Sequence, residues 1–273
     1  MNIRQVHMTS LAAEKERRAA CRKVLDSLPW EGRMVDAWDC RGDAGLQRAR
    51  ASFPMSTDED QVFTGYAKWR GPLMPGEVGC AVSHLEVWRE IAASPVGLHL
   101  VLEDDITVPK PSELAACLAS VPQGFADGGP ALLYLGYEGN EPALRPLGWS
   151  ALGALGQCAL ALATLVKPSL RGDLRGAQLR LRYAHRPRRN ATACTPIHAG
   201  LHHGTWSYIV NTAAAEALVA LQDPVLYRSD EVLNLAYMAG LVDCFVLPSK
   251  WAWPRNDVAS TIHVSRDFRS YTD

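Results

Sequence analysis

Residues 98–106 read L-H-L-V-L-E-D-D-I, and residues 75–92 before them read P-G-E-V-G-C-A-V-S-H-L-E-V-W-R-E-I-A. In the earlier stretch Val78, Val82, Leu85 and Trp88 recur at i, i+4, i+7 and i+10, the apolar face of a helix. Pro75-Gly76-Glu77 opens that helix and Ser94-Pro95 ends it. Leu98–Leu102 is a short apolar run of the kind that becomes a strand buried on both faces. Glu103, Asp104 and Asp105 follow at once. A helix feeding a buried strand that ends in three carboxylates predicts an α/β fold with ligand chemistry beyond the carboxyl end of the strand.

The same alternation extends outward. Ile3–Met8 is predicted as a strand, and Ser10 as the cap of a helix over Leu11–Leu28 that Pro29 stops. Arg33–Ala37 is the next strand. Residues 39–75, with Gly, Pro, Ser and the run Asp58-Glu59-Asp60, read as a long connection with little regular structure, a kind of loop that is often functional. Downstream, Ser112 is placed to cap a helix over Glu113–Ala119, and Ala131–Leu135 is a strand. Trp206–Val210 is a strand, Ala213–Leu221 a helix, and Ser229 a cap for a helix beginning at Asp230-Glu231. Val242–Leu247 is the last strand. The whole chain, 1–273, is expected to form one domain.

Residues 138–195 interrupt the rhythm as a variable insertion. LGWSALGALGQCALALATLV at 147–166 is about one membrane span long, yet its glycines and Gln157 favour a buried or interfacial helix. Arg171, Arg175, Arg180, Arg182, Arg186, Arg188 and Arg189 follow, with His185 among them. Such a stretch suits peripheral contact with an anionic membrane, an anionic acceptor or RNA, or else a solvated insertion.

Composition restricts the classes available. The chain has 273 residues, 28 Lys+Arg against 29 Asp+Glu, 48% hydrophobic and 21% charged residues. It is globular, neither disordered nor fibrous, and a net charge of −1 gives no global reason for specific nucleic-acid binding. The 7 cysteines are odd in number, scattered and without a C-x-x-C pair. With no apolar signal segment after Met1, they lead to an expectation of reduced thiols and a cytoplasmic location, peripheral at most to the inner face of the membrane.

Adjacent carboxylates at a strand end are costly unless a cation or hydrogen-bond donors neutralise them. Hard oxygen ligands suit Mg²⁺ or Mn²⁺, ions that commonly hold substrate phosphates, although an acidic turn would leave the same trace. A second metal set, Cys194, His198, His202 and His203, has helical spacing, but Pro196, Gly200 and Gly204 argue against a helix there. His263 is a further candidate ligand. Asn190-Ala191-Thr192 is formally a glycosylation sequon.

G-E-V-G-C-A-V-S-H at 76–84, the helix bearing Trp88 and L-E-D-D at 102–105 together resemble the signature of glycosyltransferase family 25. G-T-W-S-Y-I-V-N at 204–211 and Asp230-Glu231 agree in order. The family includes bacterial lipooligosaccharide galactosyltransferases and collagen galactosyltransferases. The resemblance implies a GT-A-type, Rossmann-like fold, a UDP-sugar donor (most often UDP-galactose), Mn²⁺ or Mg²⁺, and inversion at the anomeric carbon. The acceptor would be a glycan, a lipid-linked sugar or a peptide. It assigns Asp105 to the metal, Glu103 to the metal through water or to the ribose, and Asp104 to the ribose or donor sugar. Ser83 and His84 become a donor-site wall, and Asp230 or Glu231 the base that an inverting transfer requires. Arg17 or Arg18 corresponds to the family's early arginine, while the usual Asn-Leu is replaced by His7-Met8. Two rival readings are a family-like domain with changed or lost transfer that serves as a binding partner in a biosynthetic complex, and a nucleic-acid module built on the Arg cluster.

Overall fold

Strand β1 (Ile3–Leu11) lies next to one edge of a seven-stranded sheet and makes parallel pairs on both sides. On one side is β2 (Gly32–Ala37), with Met8 opposite Met34, and on the other β3 (Leu98–Glu103), with Met8 opposite Leu102. The computed structural model describes residues 1–55, 73–121, 125, 129–138, 194–199 and 203–255. The order continues from β3 through β7 (His203–Asn211), β5 (Ala131–Glu138) and β8 (Asp243–Val246) to β6 (Ile197–His198). β7 runs antiparallel to β3 and β5, and β6 antiparallel to β8, so the other five strands share one direction. This is a mostly parallel, Rossmann-like α/β sheet. Because the chain goes from β1 to β2 on one side and later to β3 on the other, the carboxyl ends of β1 and β3 form a switch point, where such sheets hold ligands.

Helices cover both faces, which is why Leu98–Leu102 is apolar at nearly every position. On one face α3 (Pro75–Ala93) packs Val78, Val82, Leu85, Trp88 and Ile91 with Val101, Tyr208 and Val210 of the sheet. With it lie α2 (Asp43–Ser52), α5 (Thr212–Gln222) and α6 (Ser229–Met238). On the other face Cys21 and Leu25 of α1 (Lys15–Ser27) and Leu114 and Leu118 of α4 (Pro111–Ser120) join Met8, Leu100, Leu102 and Leu133. Beyond the sheet, β4 (Ile106–Thr107) pairs with β9 (Trp253–Pro254). Trp88 is core, with no exposed surface.

Several expectations are corrected. Ser10 is the penultimate residue of β1 and does not cap a helix; α1 starts at Lys15. Residues 43–52 of the expected connection form α2, which buries only Gly45 and Ala49 and so shows little apolar period. Ser112 and Ser229 sit inside their helices, which are capped at Lys110 and Arg228. Cys117 and Cys194 form a disulfide with Cα atoms 5.1 Å apart, a pairing across 77 residues that scattered cysteines do not announce. That bond removes the case from unpaired thiols for a reducing compartment. It also removes Cys194 from the second metal set, and His198 lies in β6, not on a helix. Residues 139–193, His202, His263 and the run Asp58-Glu59-Asp60 lie outside the described residues, and with them the apolar stretch, the Arg cluster and the sequon. Among the described residues no helix is long and apolar enough to cross a membrane.

A buried polar line crosses the sheet away from the cleft. Arg33 Nε donates to His7 Nδ1 at 3.2 Å, so His7 Nε2 carries the proton directed at His99 Nδ1, 3.0 Å away. His99 Nε2 then donates to Ser94 Oγ at 3.1 Å. Burial, aided by nearby positive charge, pushes His7 down to about 3 and His99 to about 4.

Candidate active site

The cleft at the switch point has four walls. The end of β1 brings Thr9 and Ser10, the end of β2 leads to Trp38, Asp39 and Arg41, α3 presents Gly76, Cys80, Ser83 and His84, and β3 ends in Glu103-Asp104-Asp105. Including its open mouth the cleft encloses about 630 Å³, room for a nucleotide-sized ligand. Close approach of two walls needs Gly79, where a Cβ would stand 2.5 Å from the Trp38 carbonyl oxygen. Ser83 fastens the same junction. Its hydroxyl donates to the Gly79 carbonyl at 2.6 Å and accepts the Trp38 N–H at 2.8 Å.

The three acids differ in their partners. Asp104 is fully engaged: Oδ2 accepts from Ser10 Oγ at 2.8 Å and Oδ1 from Arg17 Nη1 at 3.1 Å. Glu103 accepts two bonds, both on Oε1, from His84 Nε2 at 3.1 Å and from Thr205 Oγ1. Asp105 Oδ1 is buried with no hydrogen-bond partner among the described residues. Burial first, then the charges of Glu103 and Asp104, raise Asp105 from 3.8 to about 7, with Arg17 opposing. Burying Leu98, Leu100, Val101 and Leu102 contributes roughly 1.5–3 kcal/mol each, enough to hold the strand end in place. An orphaned, buried carboxylate oxygen beside a second carboxylate fits a hard divalent cation.

Cys80 and His84 share a face of α3, and among the described residues Cys80, His84 and Glu103 bring donor atoms within 4.8 Å of one another. Protons already close this cluster. His84 is bonded to Glu103, Cys80 Sγ lies 3.1 Å from Ser229 Oγ, and burial together with the Glu103 charge pushes the Cys80 thiol up.

Asp230 and Glu231 part company. Asp230 Oδ2 accepts the N–H of Gly204, the residue before Thr205, at 3.2 Å, and neither Asp230 nor Glu231 is one of the residues that line the cleft. Gly204 has φ +82, a conformation that favours glycine. Glu231 is buried and committed to Arg228, taking its backbone N–H at 3.1 Å and its Nη1 at 3.2 Å. Arg228 also meets buried Glu77, Nε to Oε1 at 2.8 Å, tying the starts of α3 and α6 together.

Arg17, Ser83, His84, Glu103, Asp104 and Asp105 therefore line one cleft. The sequence reading assigns no site role to Thr205, Trp38 or Arg41, and takes Ser10 only for a helix cap. Thr205 and Ser10 carry a usable signal, small hydroxyls at the ends of buried strands where an apolar residue is expected.

Residues 3–123 match the sequence model of glycosyltransferase family 25, described as an LPS biosynthesis protein. The family resemblance read from the motifs is thus shown over that stretch. Procollagen galactosyltransferase 1-A of Xenopus laevis is 27% identical over 106 residues, 39% of this chain and 16% of that protein. Procollagen galactosyltransferase 2 of Homo sapiens is likewise 27% identical over 106 residues, 39% and 16% of the two chains. The inactive glycosyltransferase 25 family member 3 of Homo sapiens is 33% identical over 104 residues, 37% and 16%. The match therefore spans about a sixth of these relatives, and it includes proteins named as galactosyltransferases and as inactive.

Proposed function

We propose that the chain is a metal-dependent, inverting glycosyltransferase of GT-A architecture that moves a hexose, galactose first among candidates, from a UDP-sugar to an acceptor hydroxyl in surface-glycan synthesis. The observation that carries this reading is the unpartnered Asp105 oxygen beside Glu103, at the switch point of a sheet whose first half matches family 25. The antiparallel β7 between β3 and β5 is compatible with the GT-A arrangement.

Asp105 and Glu103 would hold Mn²⁺ or Mg²⁺. When bound, such an ion supplies Lewis-acid neutralisation of a diphosphate leaving group. Asp104 keeps Ser10 and Arg17 at the cleft edge, which leaves Arg17 cationic and fixed beside the donor site. Ser83 holds the end of β2 against α3, and His84 holds Glu103. The base is Asp230: its Oδ2 is positioned by Gly204 and its Oδ1 takes the acceptor proton, whereas the bonds from Arg228 occupy Glu231.

The test is a thermal-shift panel of nucleotide sugars with and without Mn²⁺, since a ligand of the native state raises its melting temperature. UDP-galactose with Mn²⁺ should give the largest shift, and Asp105→Asn should abolish its metal dependence. A flat response to every UDP-sugar would sink the reading. Donor binding without hydrolysis or transfer would instead favour a non-transferring binding partner, a reading supported by the inactive relatives.

A further inference from the structure

The inference that follows rests on the donor-site role given to Glu103 and goes beyond it. We propose that Tyr208, with Trp88 behind it, is a positioning residue that sets the direction of the hydrogen bonds through His84 and so holds Glu103 with Oε1 saturated and Oε2 available to ligand.

The direction follows from which groups can only donate. An indole N–H has no acceptor capacity. Trp88 Nε1 therefore donates to the Tyr208 hydroxyl oxygen, 2.8 Å away. The Tyr208 proton must then go elsewhere, and His84 Nδ1 stands 2.9 Å from the same oxygen. With Nδ1 accepting, the ring carries its proton on Nε2, which donates to Glu103 Oε1 at 3.1 Å. Thr205 Oγ1 adds a second bond to that oxygen, and Ser229 Oγ lies 3.2 Å from Thr205 Oγ1. Trp88, Tyr208 and His84 are at most 1% exposed, so water does not compete for these bonds. The His84 and Tyr208 rings stack with centroids 5.9 Å apart and planes at 29°, which holds the imidazole in its plane. Both of the bonds that Glu103 accepts from the described side chains fall on Oε1, and none of them on Oε2.

Replacing Tyr208 with phenylalanine removes the hydroxyl that fixes the ring's donor side. His84 can then place an unprotonated Nε2 against a carboxylate, and Glu103 loses one of its two holds. Partners standing behind a metal ligand typically contribute about 10–100-fold in metal affinity.

Two measurements test this. The first is ¹⁵N spectroscopy of the imidazoles in the metal-free chain, with the His84 signals identified by their absence in His84→Gln. The relay predicts a single Nε2-protonated form that becomes a mixture in Tyr208→Phe. The second is the Mn²⁺ midpoint for stabilisation by UDP-galactose. Tyr208→Phe should raise it about tenfold. Tyr134→Phe is the matched control, because Tyr134 lies opposite Tyr208 in the β5–β7 register and is equally buried, while its hydroxyl meets Cys244. It should lose stability and leave the midpoint unchanged. If Tyr208→Phe does not fold, His84→Gln and His84→Asn replace it. A glutamine amide can reach the Nε2 position and should keep the midpoint, and the shorter asparagine should not. An unaltered ¹⁵N pattern in Tyr208→Phe, or equal midpoints for the two tyrosine variants, would overturn the relay. The expected ¹⁵N change in a chain that binds no UDP-sugar at any Mn²⁺ concentration would uphold the relay and overturn the proposed function.

Discussion

Glu103-Asp104-Asp105 and Asp230-Glu231 are both runs of adjacent acids, one lining the cleft and the other in the first turn of α6, and they end in opposite electrostatic states. At the start of α6 a helix N-terminus supplies backbone N–H groups, and Arg228 supplies a guanidinium between Glu231 and Glu77. At the end of β3 the nearby donors are used by Asp104 and by one oxygen of Glu103, and Asp105 keeps a buried oxygen without a partner. Acids adjacent in sequence are thus not equivalent. The element that follows them decides whether they stabilise the fold or wait for a ligand.

Three substitutions can break the comparison, and a pH profile tests the buried histidine pair beside it. The largest expected effect is on stability. Arg228→Ala strands two buried carboxylates and should cost about 3–5 kcal/mol by chemical denaturation. A loss under about 1 kcal/mol would mean that the α6 cluster is not neutralised as described. Next, Asp105→Asn should lower metal-dependent transfer at least ~100-fold, since an amide cannot replace a charged ligand in such a site. The same change should leave the metal-free chain as stable or more stable, because a buried repulsion is relieved; unfolding would contradict the picture. Glu231→Gln is smaller. It should cost about 1–3 kcal/mol and leave the donor response intact, whereas a lost donor response would move the base from Asp230 to Glu231. The smallest and most gradual effect belongs to pH. His7 and His99 titrate in the folded chain at about 3 and about 4, well below the usual 6.5. Between those values the unfolded chain binds protons that the folded chain refuses. Stability should therefore fall as pH drops from about 6.5 toward 4, level off below about 3, and respond less in His7→Gln. An unchanged acid slope in that variant would remove the buried pair as its cause.

Much of this architecture is written in periodicity. The apolar face of α3 and the doubly buried run of β3 are legible because both are covered by other elements, so burial enforces the pattern. The acidic end of β3 is legible for the converse reason, since three carboxylates have no other place after such a strand. What periodicity misses is α2, whose buried positions are Gly45 and Ala49 and leave no apolar stripe. It also misplaces Ser10, because a serine near a strand end and a serine capping a helix look alike until Asp104 is found beside it. Tyr208 falls in the strand expected over Trp206–Val210, and Thr205 just before it. Their part in the site depends on β7 lying against β3, a pairing that sequence spacing does not encode.

That pairing has a consequence for dissecting the chain. The stretch matched to the family ends at residue 123, but β3 finds its second neighbour in β7, which begins only at His203. A fragment cut at the limit of similarity would leave Leu98–Leu102 with an open row of backbone donors and acceptors along an apolar strand, the kind of edge that recruits further copies and precipitates. It would also lack Thr205, Ser229 and Asp230. The end of the matched stretch and the end of the sheet that β3 needs are different places in this protein, and truncations designed on the former should yield aggregates.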